Sequence, residues 1–247
     1  MNKETLSKMQ QMKLYGMHHA FKTIVEQHRD PGLTADQLIG QLIDAEFDDR
    51  YNRKIKRLLK TAKLRYKAAM EDVVYEPHRN LDRDTVLRLV EGIYLEKAEN
   101  ILITGSTGVG KSYLACALGH QACCTSNKVM YFNTARMLSE LKLAKAEGTY
   151  VKSMRKIQRQ DLLILDDFGL QSMDPQNSHI LLEVVEDRYN IGSLIITSQI
   201  PVDGWYEVIE EKTLADAIMD RIVHQAHRLE LKGESMRRKK QKKTINV

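Results

Sequence analysis

In residues 1–75 the apolar positions recur every three to four residues, the period of a helix with one buried face. Leu6, Met9, Met12, Met17, Ala20 and Ile24 form a first series, which Pro31-Gly32 interrupts. Thr34-Ala-Asp-Gln37 is a capping box that opens a second series: Leu38, Ile39, Leu42, Ile43 and Phe47. The same spacing continues from Arg50 to Met70 through Ile55, Leu58, Leu59, Ala62, Tyr66 and Ala69. No strand-type alternation occurs before residue 98. Pro77, within Glu76-Pro-His-Arg-Asn80, ends the helical run and marks a boundary, and a short helix follows from Asp84 to Leu95.

From Asn100 onward the pattern changes. Short apolar runs predict strands at Ile101–Thr104, Val129–Phe132, Leu162–Leu165, Leu194–Thr197 and Arg228–Leu231. Helical stretches at 112–124, 134–146, 150–159, 175–190 and 205–224 separate them. Alternating strand and helix predicts an α/β fold, a parallel five-stranded sheet covered on both faces. Ligand then belongs at the C-terminal ends of the strands. The expected organisation is an all-helical N-terminal domain, 1–75, an α/β domain, 76–231, and a basic tail, 232–247.

Within that frame, Gly105-Ser106-Thr107-Gly108-Val109-Gly110-Lys111-Ser112 fits the phosphate-binding P-loop, Walker A. Glycines let the backbone turn tightly and approach a triphosphate. The loop N–H groups and the helix N-terminus after it form an anion site. Lys111 brings positive charge to the β- and γ-phosphates, and Ser112 offers a hydroxyl to Mg2+. Leu162-Leu-Ile-Leu165 delivers Asp166-Asp167 at its end, the Walker B arrangement. Asp166 is assigned to the metal shell and Asp167 to positioning or deprotonating the attacking water. Leu194-Ile-Ile-Thr197 ends in Ser198-Gln199; either side chain could hold that water if the two strands are neighbours. Arg221, after Asp216-Ala-Ile-Met-Asp220, is a candidate for reaching a neighbouring subunit's nucleotide, with a surface ion pair as the plainer alternative. Arg188 carries the same ambiguity.

Charge adds a second theme. The net charge is +5, but the segment 232–247 holds seven Lys/Arg and one Glu, so the rest of the chain stands near −1. Residues 50–67 hold nine Lys/Arg and no acid: Arg50, Arg53, Lys54, Lys56, Arg57, Lys60, Lys63, Arg65 and Lys67. Tyr51 and Tyr66 are interleaved among them. A basic helix of this kind suits a nucleic-acid backbone, with binding that weakens as salt rises. The run Arg237–Lys243 would add nonspecific DNA affinity. Cys116, Cys123 and Cys124 have no zinc-type spacing, which fits a reducing, cytoplasmic setting. Met1-Asn-Lys-Glu-Thr has no apolar signal core, and no run is long enough to span a membrane.

These stretches carry a resemblance. Asn100-Ile-Leu-Ile-Thr-Gly-Ser-Thr-Gly-Val-Gly-Lys-Ser-Tyr-Leu-Ala115, Leu162-Leu-Ile-Leu-Asp-Asp-Phe-Gly-Leu170, Ile196-Thr-Ser-Gln-Ile-Pro201 and Arg228-Leu-Glu-Leu-Lys-Gly-Glu-Ser-Met236 are the most telling. The chain resembles insertion-sequence ATP-binding proteins of the IstB type, relatives of the DnaC helicase loaders within the AAA+ ATPases. The resemblance implies ATP and Mg2+ as ligands, Arg221 as a trans-acting finger and Ser198-Gln199 as sensor 1. It also implies ATP-driven self-assembly on double-stranded DNA and recruitment of a cognate transposase. Most AAA+ proteins carry Asp-Glu in Walker B; Asp167 is shorter, which suits a slow timing switch. The short stretch after residue 231 leaves little room for a helical lid, so a sensor 2 arginine is not expected. Two other functions share the motifs: a replicative helicase loader of the DnaC type and a P-loop small-molecule kinase. A nucleotide-binding module that never hydrolyses is a fourth, opposed by the intact Lys111 and Asp166-Asp167.

Overall fold

The computed structural model describes residues 2–26, 32 and 34–236, so the basic run Arg237–Lys243 and Pro31 lie outside the described residues. The chain divides into two compact units, Met1–Arg57 and Leu58–Val247.

The first unit is helical, as expected. It comprises α1 (Asn2–Gln11), α2 (Tyr15–Glu26) and the N-terminal part of α3 (Ala35–Ala62). The capping box forms: Thr34 N–H donates to Gln37 Oε1 at 2.9 Å, and Gln37 N–H to Thr34 Oγ1 at 3.3 Å. Helix α3 turns Ala45 and Glu46 toward the start of α2. A Cβ on Gly16 would lie 2.2 Å from the Ala45 carbonyl oxygen, so the backbones meet where only glycine fits. The buried Glu46 carboxylate accepts from the Gly16 and Met17 N–H groups at 2.8 and 3.3 Å. Those amides open α2 and have no partner within the helix.

The second unit begins with the end of α3. The expected helix through Met70 stops at Ala62, because Lys63 takes φ +52° and turns the chain. Ala62 and Ala68 are then buried, and Leu58, Leu59, Leu64 and Tyr66 pack on the same core. These side chains bind the segment to the α/β unit, well before the boundary expected at Glu76–Asn80. Helices α4 (Arg83–Val90) and α5 (Ile93–Glu96) replace the single helix expected there, since Gly92 lies at φ +84°.

Strands β1 (Asn100–Gly105), β2 (Val129–Asn133), β3 (Leu162–Phe168), β4 (Ser193–Ser198) and β5 (Ala226–Leu231) form one parallel sheet in the order β2-β3-β4-β1-β5. Side chains alternate between its two faces. Ile101, Ile103, Leu162, Ile164 and Ile195 pack with α6 (Lys111–Cys124). Leu102, Leu163, Leu165, Leu194 and Ile196 pack with α7 (Thr134–Ala146), α8 (Tyr150–Gln158), α9 (Pro175–Glu186) and α11 (Lys212–Val223). The helix expected over 205–224 is split into α10 (Trp205–Val208) and α11, because Ile209 leaves it to pair with Met173. Cys116 and Cys123 are free thiols inside the first face, and burial pushes them up to about 11 and about 12.

Register gathers the strand ends. Thr104 lies beside Ser198, and Asn133 beside Asp166, so the C-terminal ends of β1 to β4 share one rim.

Candidate nucleotide site

The loop between β1 and α6 sits on that rim. Gly105, Gly108 and Gly110 all have positive φ, at 141°, 87° and 100°. A Cβ on Gly105 would meet the Leu231 carbonyl oxygen at 2.2 Å, and one on Gly108 would meet Ser235 Oγ at 2.3 Å. The loop is therefore backed by the chain that follows β5, where Met236 N–H also donates to the Gly108 carbonyl at 2.9 Å. Arg79 props it from behind, donating to the Val74 and Val109 carbonyls. Lys111 donates to the carbonyls of Gly105 and Ser106 at 2.7 and 3.0 Å, holding its ammonium inside the curl of the loop. Burial lowers the Lys111 ammonium from its ordinary value, against the opposing pull of Asp167 and Asp166.

Asp166 is fully buried at the end of β3. Ser112 Oγ donates to its Oδ1 at 2.7 Å, and Thr197 Oγ1 donates to the same oxygen. Tyr131 OH and Arg65 Nη1 donate to Oδ2, the latter at 3.0 Å. Burial alone would raise this carboxyl; the bonds from Thr197, Tyr131, Ser112 and Arg65 outweigh it and hold the group below the usual carboxylate range. A hydroxyl and an ionised carboxylate adjoining at the loop–helix junction are the hard oxygen donors Mg2+ prefers. The donor set and the glycine curl thus fit a metal-bound triphosphate.

Asp167 occupies a different kind of place. Its φ is +60°, uncommon for a residue with a Cβ, and the β3–β4 register shifts between Leu165 and Phe168. Thr197 Oγ1 accepts from its N–H at 3.1 Å, and its carboxylate accepts from Arg65 at 3.2 Å and Asn133 at 3.3 Å. The bulge turns two consecutive carboxylates to one side of the rim, where plain strand geometry would send them to opposite faces.

The sequence alternatives separate. Ser198 is buried and donates to the Phe168 carbonyl at 2.7 Å, a structural bond. Gln199 Oε1 accepts from the P-loop Thr107 hydroxyl at 2.6 Å, which brings its amide to the phosphate side. Arg188 is structural: its guanidinium donates to the carbonyls of Ile157, Gln160, Asp161 and Ser193, and burial lowers it to about 10. Arg221 donates to Ala217 O and Glu186 Oε1, both at 2.8 Å.

The basic run 50–67 also divides. Arg50 pairs with Glu46 at 2.6 Å and Arg53 with Asp49 at 2.7 Å. Arg65 is placed on Asp166 and Asp167, inside the candidate nucleotide site and away from any helix face. Lys54, Lys56, Lys60, Lys63 and Lys67 are exposed and make no ion pair among the described residues. Arg65 was assigned in the sequence to nucleic acid and not to the nucleotide site, and Arg79, Tyr131, Asn133 and Thr197 were not singled out there as site residues. Thr197 stands next to the two candidates chosen there; the others carry no local signal.

Comparison with known proteins follows this geometry. A family model described as IstB-like ATP binding protein matches residues 7–244. An insertion sequence ATP-binding protein of Sinorhizobium fredii is 44% identical over 240 residues, spanning 97% of this chain and 98% of its own. One from Pseudomonas fluorescens is 38% identical, over 81% of this chain and 87% of its own. The crystal structure of the DnaC helicase loader is similar with a TM-score of 0.57 and 22% identity, covering 69% of this chain and 100% of that one. The replication initiator DnaA bound to AMPPCP and single-stranded DNA is similar with a TM-score of 0.58 and 21% identity, over 75% of this chain and 57% of that one. The fold is that of the AAA+ P-loop proteins.

Proposed function

We propose, because the chain belongs to the IstB-like ATP binding protein family, that it is an ATP-hydrolysing transposition helper. It assembles on double-stranded target DNA, recruits and stimulates a transposase, and uses hydrolysis to time the assembly. The carrying observation is the junction of Ser112 Oγ with Asp166 Oδ1 at 2.7 Å, beside the inward-held Lys111.

In this function the loop 105–112 wraps the phosphates and Lys111 exchanges its carbonyl partners for β- and γ-phosphate oxygens. Ser112 and Asp166 would hold Mg2+, which when bound withdraws charge from the phosphate oxygens. Asp167 accepts a hydrogen bond from the attacking water, and Gln199 orients that water from the neighbouring strand end. Water adds to the γ-phosphorus, the bond to the β-phosphate bridging oxygen breaks, and ADP and phosphate leave. Arg221 from an adjacent subunit neutralises charge as that bond breaks. The exposed lysines at 54, 56, 60, 63 and 67 take the DNA backbone, with the helical N-terminal domain as the DNA- and partner-binding part.

The DnaC-like fold supports a second function, loading of a replicative helicase, which uses the same ATPase core. The two separate on duplex DNA. Mass photometry with a non-hydrolysable ATP analogue should show an assembly larger than the nucleotide-free species only when long duplex is also present. Lys111→Ala should abolish that assembly along with nucleotide binding. If neither nucleotide nor duplex enlarges the wild-type species, the transposition-helper function is wrong.

A further inference from the structure

Between the end of α3 and the 3-10 turn Met70–Asp72, residues 63–69 lie outside any helix or strand. Their exposure alternates. Ala62 and Ala68 are buried and Leu64 and Tyr66 pack on the same core, whereas Lys63, Arg65 and Lys67 are exposed. Leu64 reaches α6, where its Cδ2 lies 3.1 Å from the place a Cβ on Gly119 would take. Tyr66 meets Tyr113 of the same helix, with ring centroids 6.3 Å apart. Every second residue thus fixes the backbone to the helix that follows the P-loop, and the three cations between them face outward.

Of these three, only Arg65 is committed to a carboxylate. Its Nη1 donates to Asp166 Oδ2 at 3.0 Å and to Asp167 Oδ2 at 3.2 Å, yet the side chain is 41% exposed. Lys63 and Lys67 make no ion pair among the described residues. Tyr131 donates to the same Asp166 oxygen and Thr197 to the other, so Asp166 keeps both bonds if Arg65 leaves. What it would then lack is a positive charge, and a divalent cation is the larger local charge. Guanidinium and Mg2+ are therefore alternatives at this pair of carboxylates. A displaced guanidinium has Lys63 and Lys67 on its own side of the segment. Its Cζ also stands 5.5 Å from the centre of the Tyr66 ring, a surface that keeps it favourably placed as it turns outward.

We propose that Arg65 serves two sites in turn and couples them. Without nucleotide it neutralises Asp166 and Asp167. Metal-bound nucleotide releases it, and it then joins Lys63 and Lys67 as the third cation of a site for the phosphates of duplex DNA. This exchange rests on the ATP- and DNA-binding function proposed above and names the side chain through which one ligand acts on the other. Such coupling is reciprocal. Nucleotide strengthens the hold on duplex, and duplex lowers the Mg2+ concentration that the nucleotide site requires. Arginine suits both places, because its planar fork grips a carboxylate or a phosphate with paired N–H groups. The anchored backbone confines the exchange to one side chain, so the fold need not rearrange.

The test is fluorescence anisotropy of the full chain on a duplex short enough to seat a single copy, over a series of salt concentrations. It is run with and without Mg2+ and a non-hydrolysable ATP analogue. Each phosphate neutralised adds about 0.9 to the slope of log affinity against log salt concentration. In the wild type, nucleotide should tighten binding and steepen that slope by about one. Arg65→Ala should keep the shallow slope in both states, and Arg65→Lys, which retains the charge, should recover part of the steepening. A Mg2+ titration of fluorescent ATP analogue binding reads the other direction. Saturating duplex should lower the half-saturating Mg2+ of the wild type roughly two- to fivefold, toward that of Arg65→Ala, and leave the variant's own value unmoved. Full binding of the analogue by both variants at saturating Mg2+ shows that the P-loop unit is intact. Equal steepening in wild type and Arg65→Ala overturns the proposal, as does a wild-type Mg2+ requirement that duplex leaves unchanged. Either result, with duplex still bound, sinks the exchange alone. A wild type that binds no duplex in any state sinks the transposition-helper function and the exchange with it.

Discussion

Arg65 shows what a single residue can hide. In the sequence it is one of nine basic residues between 50 and 67, and spacing assigns it to a DNA-facing helix. The turn at Lys63 removes it from the helix and sets its guanidinium on both aspartates of the nucleotide site. The P-loop was legible because its parts are contiguous and each glycine answers a local demand. Ser112 and Asp166 were legible as a pair for the same reason, but the other partners of Asp166 were not, because Arg65, Tyr131 and Thr197 come from three separated segments that only the fold unites. A cation bonded to Asp166 and Asp167 competes with a metal for the same oxygens. Arg65→Ala should therefore lower the Mg2+ concentration that half-saturates binding of a fluorescent ATP analogue. The pair is partly exposed, so the change should be modest, roughly two- to fivefold. A rise in the Mg2+ requirement would show instead that Arg65 helps hold the nucleotide.

Among the elements, the strands were the easiest to read. Buried on both faces, they appear as unbroken apolar runs that no helix period explains. Their ends were harder: β3 runs on through Asp166, Asp167 and Phe168, where polar residues hide a strand that bulges. The break at Ile209 was illegible for a related reason, since its pairing partner Met173 is thirty-six residues away. Unit Met1–Arg57 rests on a less visible contact, the Glu46 carboxylate capping α2. Burial would raise this group, but Arg50 and the two backbone amides hold it below its ordinary 4.5. A depressed carboxyl stabilises fully above its unfolded value and loses that contribution as pH falls through the folded one. Hydrogen exchange at the Gly16 and Met17 amides should therefore accelerate once pH drops below about 4.5, after correction for intrinsic rates. Glu46→Gln should remove about 1–2 kcal/mol of this protection at neutral pH and flatten its pH dependence. Equal protection in the two proteins would mean that the carboxylate does not hold α2.

Taken as a whole, the molecule places Arg221 away from its own P-loop. Its carbonyl accepts from Asn100 Nδ2 at 3.3 Å, which ties it to the start of β1. The P-loop begins at the other end of that strand, at Gly105, five residue steps or about 17 Å further along. Arg221 instead pairs with Glu186 at 2.8 Å, an ion pair it can surrender to a stronger anion. An arginine so placed can serve a phosphate only in another copy. Two variants, each inactive for a different reason, should then rescue one another. Lys111→Ala cannot use its own nucleotide site but keeps its arginine; Arg221→Ala keeps its nucleotide site but lacks the finger. Each should show ATPase activity lowered by about 100-fold or more on duplex DNA. Mixed in equal amounts, they form interfaces where an intact P-loop meets an intact Arg221, and turnover should rise well above the sum of the two alone. If mixing restores nothing while both variants still co-assemble, or if Arg221→Ala alone hydrolyses like wild type, Arg221 is only the surface ion pair seen with Glu186.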